Sequence, residues 1–176
     1  SFFHPEELDV KTKAWLRHYF EEQIYPVVTP LAVDSGHPFP FLANNTINAI
    51  VRIFQVQPDG TKDYKIAILP IPSVLDRIIE VPSSSNKVHR FVYLEDVISY
   101  YAIQFFQGYG IEESMIFRLT RDADLEIDEE DAKDLLTEVE ASLRRRRRGD
   151  AVRLEVVGAG SPELLRTVLA RSEERR

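Results

Sequence analysis

The chain has 176 residues, 44% of them hydrophobic and 29% charged, with a formal net charge of -7 and no cysteine. Those figures fit one globular domain that buries roughly 70% of its unfolded surface. They exclude disulfide staples and thiolate metal sites, point to a reducing cytoplasm, and oppose general nucleic-acid binding, which needs a broad basic face. No apolar run nears the ~18 residues of a transmembrane segment, and the opening "SFFHPEELDVKTK" lacks the basic and apolar regions of a signal peptide.

In chain order, residues 6–22 place Leu8, Trp15, Leu16, Tyr19 and Phe20 at mostly helical spacing and predict an amphipathic helix. Pro26 and Pro30 break the chain into an extended segment. "DSGHPFPFLANN" is a loop punctuated by Asp34, Gly36, Pro38 and Pro40. "TINAIVRIFQV" (46–56) is β-branched and apolar on both faces, as a buried central strand would be. "QPDGTK" then turns the chain into "DYKIAILPI" to make a hairpin. "PSVLDRIIEVP" is read as a short helix or 3₁₀ turn. "VHRFVYL" is a third strand, leading into a buried helix with Val97, Ile98, Tyr101, Ile103 and Phe105, ended by Gly108 and Gly110. "SMIFRLT" is a fourth strand, with Met115, Phe117 and Leu119 on one face and Arg118 and Thr120 on the other. "AVRLEVV" (151–157) is a fifth, and Ser161 caps a final helix with Pro162 in its first position. The expected fold is α+β: a mixed β-sheet with a hairpin and helices packed on it.

Between the fourth and fifth strands, residues 128–149 read as a helix with Ala132, Leu135, Leu136, Val139 and Leu143 as its apolar stripe, ending in the run Arg144–Arg148 before Gly149. Acids at its start and arginines at its end complement the helix dipole, and Glu140 pairs in register with Arg144. Those terms do not require five arginines. Arg147 prolongs the apolar stripe and must snorkel, pair with an acid or face a partner. The excess is assigned to a partner.

Other candidates fall away. Asp122, Asp124 and Glu126 imitate a calcium loop, but Ile127 replaces its glycine and Lys133 its final glutamate. Gly158 and Gly160 form part of a dinucleotide fingerprint, with Glu163 in the third glycine's place. His4, His18, His37 and His89 are not spaced as metal ligands. His37, in its proline-stiffened loop, is read as a backbone hydrogen-bonding residue ahead of a catalytic one. No catalytic constellation is complete.

Two stretches, "YPVVTPLAVDSGHPFPFLANNTINAIVRI" (25–53) and "FRLTRDADLEIDEEDAKDLLTEVEASLRRRRRGDAVRLEV" (117–156), joined by "RFVYLEDVI" (90–98), resemble the ATP-dependent bacterial polyphosphate kinase family. The family's usual text has proline at Ser35 and an aromatic at Arg148. The resemblance is to the head, or middle, domain. It implies that residues 1–22 lead from an N-terminal helical domain, that 23–160 form the head domain, and that 161–176 lead toward C-terminal catalytic domains. The phosphorylated histidine, the magnesium site and most ATP contacts of the family lie in those other domains. ATP and magnesium are therefore expected for the parent enzyme and no cofactor for this segment. The implied partners are inorganic polyphosphate and a second subunit, in a cytoplasmic enzyme with peripheral membrane association as an option. Arg118, Arg121, Arg144, Arg146, Arg147 and His37 are the candidate polyanion or subunit contacts. The rival reading is an independent polyanion- or RNA-binding module.

Overall fold

A computed structural model of the chain describes residues 1–34, 39–83, 88–121, 151–157 and 161–173. Two antiparallel sheets organise it. The larger has the strand order β1-β3-β2-β6-β7, with β1 Leu31–Val33, β2 Ile47–Val56, β3 Lys62–Pro70, β6 Gly110–Arg121 and β7 Ala151–Val157. The smaller pairs β4 Ile78–Val81 with β5 Arg90–Tyr93. The α+β class holds, but among the described residues the sheet is not mixed: every ladder is antiparallel, and parallel contact is limited there to a single bridge from Phe2 to Phe91. The pair β2–β3 is joined by a tight hairpin, a connection that only antiparallel pairing allows.

β2 is the central strand its sequence predicts. Its Ala49, Val51 and Ile53 enter one apolar core, with Leu16, Phe20 and Ile24 from the N-terminal segment, Ile79 and Val81 from β4, and Val97 and Ile98 from α2 (Leu94–Tyr100). Ile50 faces the other way, into a second core with Val33, Phe39, Leu42, Ile68, Met115, Phe117 and the C-terminal helix residues Leu164 and Val168. The molecule is therefore three layers deep, with the sheet in the middle. Buried Asn48 on the same strand donates its Nδ2 to the Thr46 carbonyl at 3.0 Å, so its amide is not orphaned.

The hairpin forms where expected. Gly60 takes φ 85°, open to glycine at no steric cost, and Asp59 accepts from the Thr61 amide at 2.9 Å in an Asx-type turn. At the N-terminus, α1 spans Val10–Tyr19. Asp9 caps it by accepting from the Thr12 amide at 2.9 Å. A π-helical turn, Phe20–Ile24, follows. It holds Leu16, Phe20 and Ile24 fully buried in one line, because the wider turn compensates for the roughly 40° by which an i, i+4 row drifts around an α-helix.

Three expectations need correction. The stretch 72–82 contains no helix: after a turn closed by the Leu75 amide on the Pro72 carbonyl, it forms β4, with exposed Ile78 and Glu80 alternating with buried Ile79 and Val81. The helix after β5 stops at Tyr100 and tightens into a 3₁₀ turn, Ala102–Phe105. That change of period leaves Ile103 44% exposed. Gly108, at φ 80°, closes this turn, whereas Gly110 begins β6. A Cβ there would lie 2.4 Å from the Phe54 ring, so glycine is what lets the ring lie across the strand. The predicted helix 128–149 lies outside the described residues.

Because β2 is packed on both faces, Ile50→Ala should cost ~2–5 kcal/mol in urea unfolding, against less than ~0.5 kcal/mol for Val56→Ala at the exposed strand end. A cost below ~1 kcal/mol at Ile50 would show that the second core is not a packed layer.

Candidate functional site

The sheet brings the predicted strand arginines to the end of β6. Arg118 stands opposite Glu155 of β7. Its Nε donates to Glu155 Oε2 at 2.8 Å, and its Nη2 lies 2.8 Å from the same oxygen. Arg153, two residues earlier on β7, places Nη2 3.0 Å from Glu155 Oε1. Alternation along the strands puts Arg118, Thr120, Arg153 and Glu155 on one face. Arg121 follows a register shift at Thr120 and serves the opposite side. Its Nε donates to the Leu42 carbonyl at 2.9 Å, its backbone amide donates to Asn44 Oδ1 at 2.8 Å, and its guanidinium carbon sits 4.5 Å from the Phe41 ring centroid. The Asn45 amide bonds the Leu119 carbonyl, with Asn45 in the left-handed region at φ 64°, which asparagine tolerates.

The proline-spaced phenylalanines thus part company. Phe39 is buried in the second core, and Phe41 is 41% exposed beneath Arg121. Arg118 and Arg121 do not converge on one groove. His37 and Arg144–Arg148 lie outside the described residues, as do the calcium-like acids and Gly158 to Gly160. The remaining histidines sit apart: His4 is 3.3 Å from Asp96, His18 3.4 Å from Glu22 and His89 2.6 Å from Glu80. Among the described residues no group of three or more ligating side chains gathers as a metal site would require.

Sequence reasoning missed a second cluster, around Arg52. Its Nη1 lies 2.8 Å from Glu163 Oε2 and 3.8 Å from Glu113 Oε1, its Nε lies 3.5 Å from Glu112 Oε2, and its guanidinium carbon covers the Tyr64 ring at 4.4 Å. Burial opposes the Arg52 charge, but the hydrogen bond and field of Glu163 and the fields of Glu112 and Glu113 more than offset it and hold the guanidinium above its ordinary value. Ser161 joins in: its Oγ donates to Glu113 Oε1 at 2.9 Å and accepts from the Leu164 amide at 3.1 Å. It is the expected cap of the C-terminal helix α3, Pro162–Glu173. A cleft of ≈ 280 Å³ opens beside this cluster, and Asp34, Tyr64, Lys65 and Thr167 help to line it. Asp34, Glu112, Glu113 and Glu163 outnumber Arg52 and Lys65, so this cleft repels a polyanion. The contacts of Arg52 with Glu163 and of Glu113 with Ser161 tie β2 and β6 to the start of α3. The signal was present: Arg52 is the one charge in "INAIVRIF", and a charge on a central strand needs partners.

Comparison with known proteins points one way. The polyphosphate kinase middle-domain family matches residues 11–174. A polyphosphate kinase of Halalkalibacterium halodurans is 42% identical over 165 residues, covering 93% of this chain and 23% of that protein. One of Pseudomonas syringae pv. tomato is 44% identical over 147 residues, covering 83% and 20%. The chain thus spans under a quarter of these relatives. The crystal structure of polyphosphate kinase from Porphyromonas gingivalis superposes with a TM-score of 0.69 at 24% identity, over 93% of this chain and 22% of that one, which shows a shared fold.

The Arg52 cluster makes a specific claim about α3. Arg52→Met should leave three carboxylates facing one another, cost roughly 1–3 kcal/mol, and raise hydrogen exchange of the 164–170 amides by roughly tenfold or more. Unchanged protection would mean that burial of Leu164 and Val168 alone holds the helix.

Proposed function

The chain belongs to the polyphosphate kinase family, and we propose that it is the middle domain of an enzyme that reversibly moves the terminal phosphate of ATP onto inorganic polyphosphate. The observation that carries this reading is the family match over residues 11–174, together with relatives that are themselves polyphosphate kinases. Within that enzyme the segment supports subunit assembly and frames the path of the polyphosphate. ATP, magnesium and the phosphoryl-transfer chemistry belong to the other domains, and this segment alone does not catalyse.

Phosphoryl transfer depends on positioning and on cationic stabilisation of phosphate oxygens. Three features support a framing role. β6 ends in Arg118 and Arg121, and β7 carries Arg153. Arg121 is the register partner of Ala151, so both ends of segment 122–150 meet at this end of the sheet. The run Arg144–Arg148 stops two residues of sequence before β7 begins. Among the described residues no helix is long and apolar enough to cross a membrane.

The test is binding of labelled long-chain polyphosphate to the 176-residue chain, beside RNA of matched length, across a salt series. Polyphosphate should bind, with log K falling steeply against log salt, and RNA should bind at least roughly tenfold more weakly, because its phosphates are spaced further apart along the chain than those of polyphosphate. Arg146→Ser with Arg147→Ser should weaken polyphosphate binding by roughly tenfold. Equal affinity for RNA, or no polyphosphate binding at all, would sink the framing role and leave the arginines to a helix end or a subunit contact.

A further inference from the structure

The arrangement of Arg118, Arg153 and Glu155 resembles an anion site already holding an anion of its own. Antiparallel register sets Arg118 directly across from Glu155, and the period of two along β7 sets Arg153 beside it on the same face. Each carboxylate oxygen is held by a different guanidinium: Oε2 by Arg118 through Nε and Nη2, both at 2.8 Å, and Oε1 by Arg153 through Nη2 at 3.0 Å. The three side chains are 42%, 69% and 31% exposed. Ion pairs this open to solvent contribute little to stability, so the fold does not need two arginines on one glutamate.

We propose that Glu155 is a displaceable internal anion that keeps Arg118 and Arg153 in a phosphate-binding geometry and yields its place to the phosphoryl groups of a polyphosphate chain. The proposal rests on the reading above that this segment meets polyphosphate, and it adds the site and its control. The chemistry follows from the donors. A phosphate presents oxygens at a spacing that guanidinium forks match as they match a carboxylate, and along a polyanion it brings more charge than Glu155 does. With Glu155 in place the two arginines and one acid sum to a single positive charge. When it swings out, both guanidiniums face the ligand, and the Thr120 hydroxyl, opposite Arg153 in the register, adds a donor on the same face. Glu155 therefore acts as a competitor: it lowers affinity and so favours release of a product chain that must move along the enzyme.

The prediction is opposite in sign to that for an ordinary contact residue. Glu155→Gln, nearly isosteric, should bind long-chain polyphosphate roughly 3–10-fold more tightly than wild type, and should steepen the slope of log K against log salt by about 0.7–0.9, one further phosphate contact. Glu155→Ser should behave alike. Asp76→Asn, the same charge change in the turn before β4, should leave both quantities unmoved, and Arg118→Gln with Arg153→Gln should weaken binding roughly tenfold. Thermal melts of each variant establish that it folds. A parallel titration with ATP separates the source of the phosphates: tightening confined to ATP overturns the assignment to polyphosphate. If wild type binds polyphosphate and Glu155→Gln binds no tighter than Asp76→Asn, the internal-anion role is overturned while the framing role stands. If neither wild type nor Glu155→Gln binds, both readings fall.

Discussion

Strand β2 is buried on two sides, and the rest of the molecule is arranged around that constraint. A strand apolar on one face needs one covering layer; a strand with Val51 and Ile50 both fully buried needs two. The N-terminal helix, α2 and the small sheet provide one layer, and α3 with the Phe39–Leu42 segment provides the other. The neighbours β3 and β6 inherit the same demand, which is why Ile68 and Leu69 are both fully buried on β3. Arg52 is the exception on β2. Its charge cannot be left unpaired between packed layers, and the partners it gathers come from β6 and from the start of α3. The interaction that compensates the central strand's only charge thus also reaches the start of α3.

The same sheet governs the arginines at its other end. Arg118 and Arg153 meet because β6 and β7 pair, and β6 is held in line by its pairing with β2 through Ile50 and Met115. Arg121 is held differently, by a loop whose Phe39 and Leu42 are pinned in the second core. Core packing therefore fixes side chains that do not themselves belong to the core. A loss of packing beneath β2 would be felt as a loss of order among surface guanidiniums.

What the sequence discloses depends on the range of the interaction. β2, its hairpin and the Ser161 cap are legible because a pattern within a few residues decides them. β4 is not, since "LDRIIEV" satisfies helical and strand spacing alike, and only pairing with β5 settles the matter. The end of α2 hides for a related reason: the apolar positions continue past Tyr100 while the backbone changes period. Arg118 and Arg153 could be named as cations, but that they share Glu155 depends on a register that pairs Arg118 with a residue 37 positions along the chain. No local pattern reports that. The partners of Arg52 are likewise 60 and more residues away, although the need for partners was readable in the charge itself. His37 and Arg144–Arg148 fall outside the described residues, so their standing as contacts rests on the sequence.

The acidic balance of the chain does not conflict with the proposed polyanion contact once distance is considered. Charges at the surface interact over a screening length of roughly 8–10 Å at physiological salt, so the net charge of -7 matters less than where it lies. At one end of β6, Glu112 and Glu113 stand with Asp34 and Glu163 against Arg52 and Lys65, an excess of two negative charges. At the other end, among the described residues, Arg118 and Arg153 stand against Glu155, an excess of one positive charge. Glu113 and Arg118 are five residues apart on an extended strand, on the order of 17 Å at ~3.4 Å per residue. That exceeds the screening length, so each end acts independently. Among the described residues β6 thus runs from an acidic end to a basic one, and in the proposed framing role it is the end where segment 122–150 leaves and returns that suits a phosphate chain.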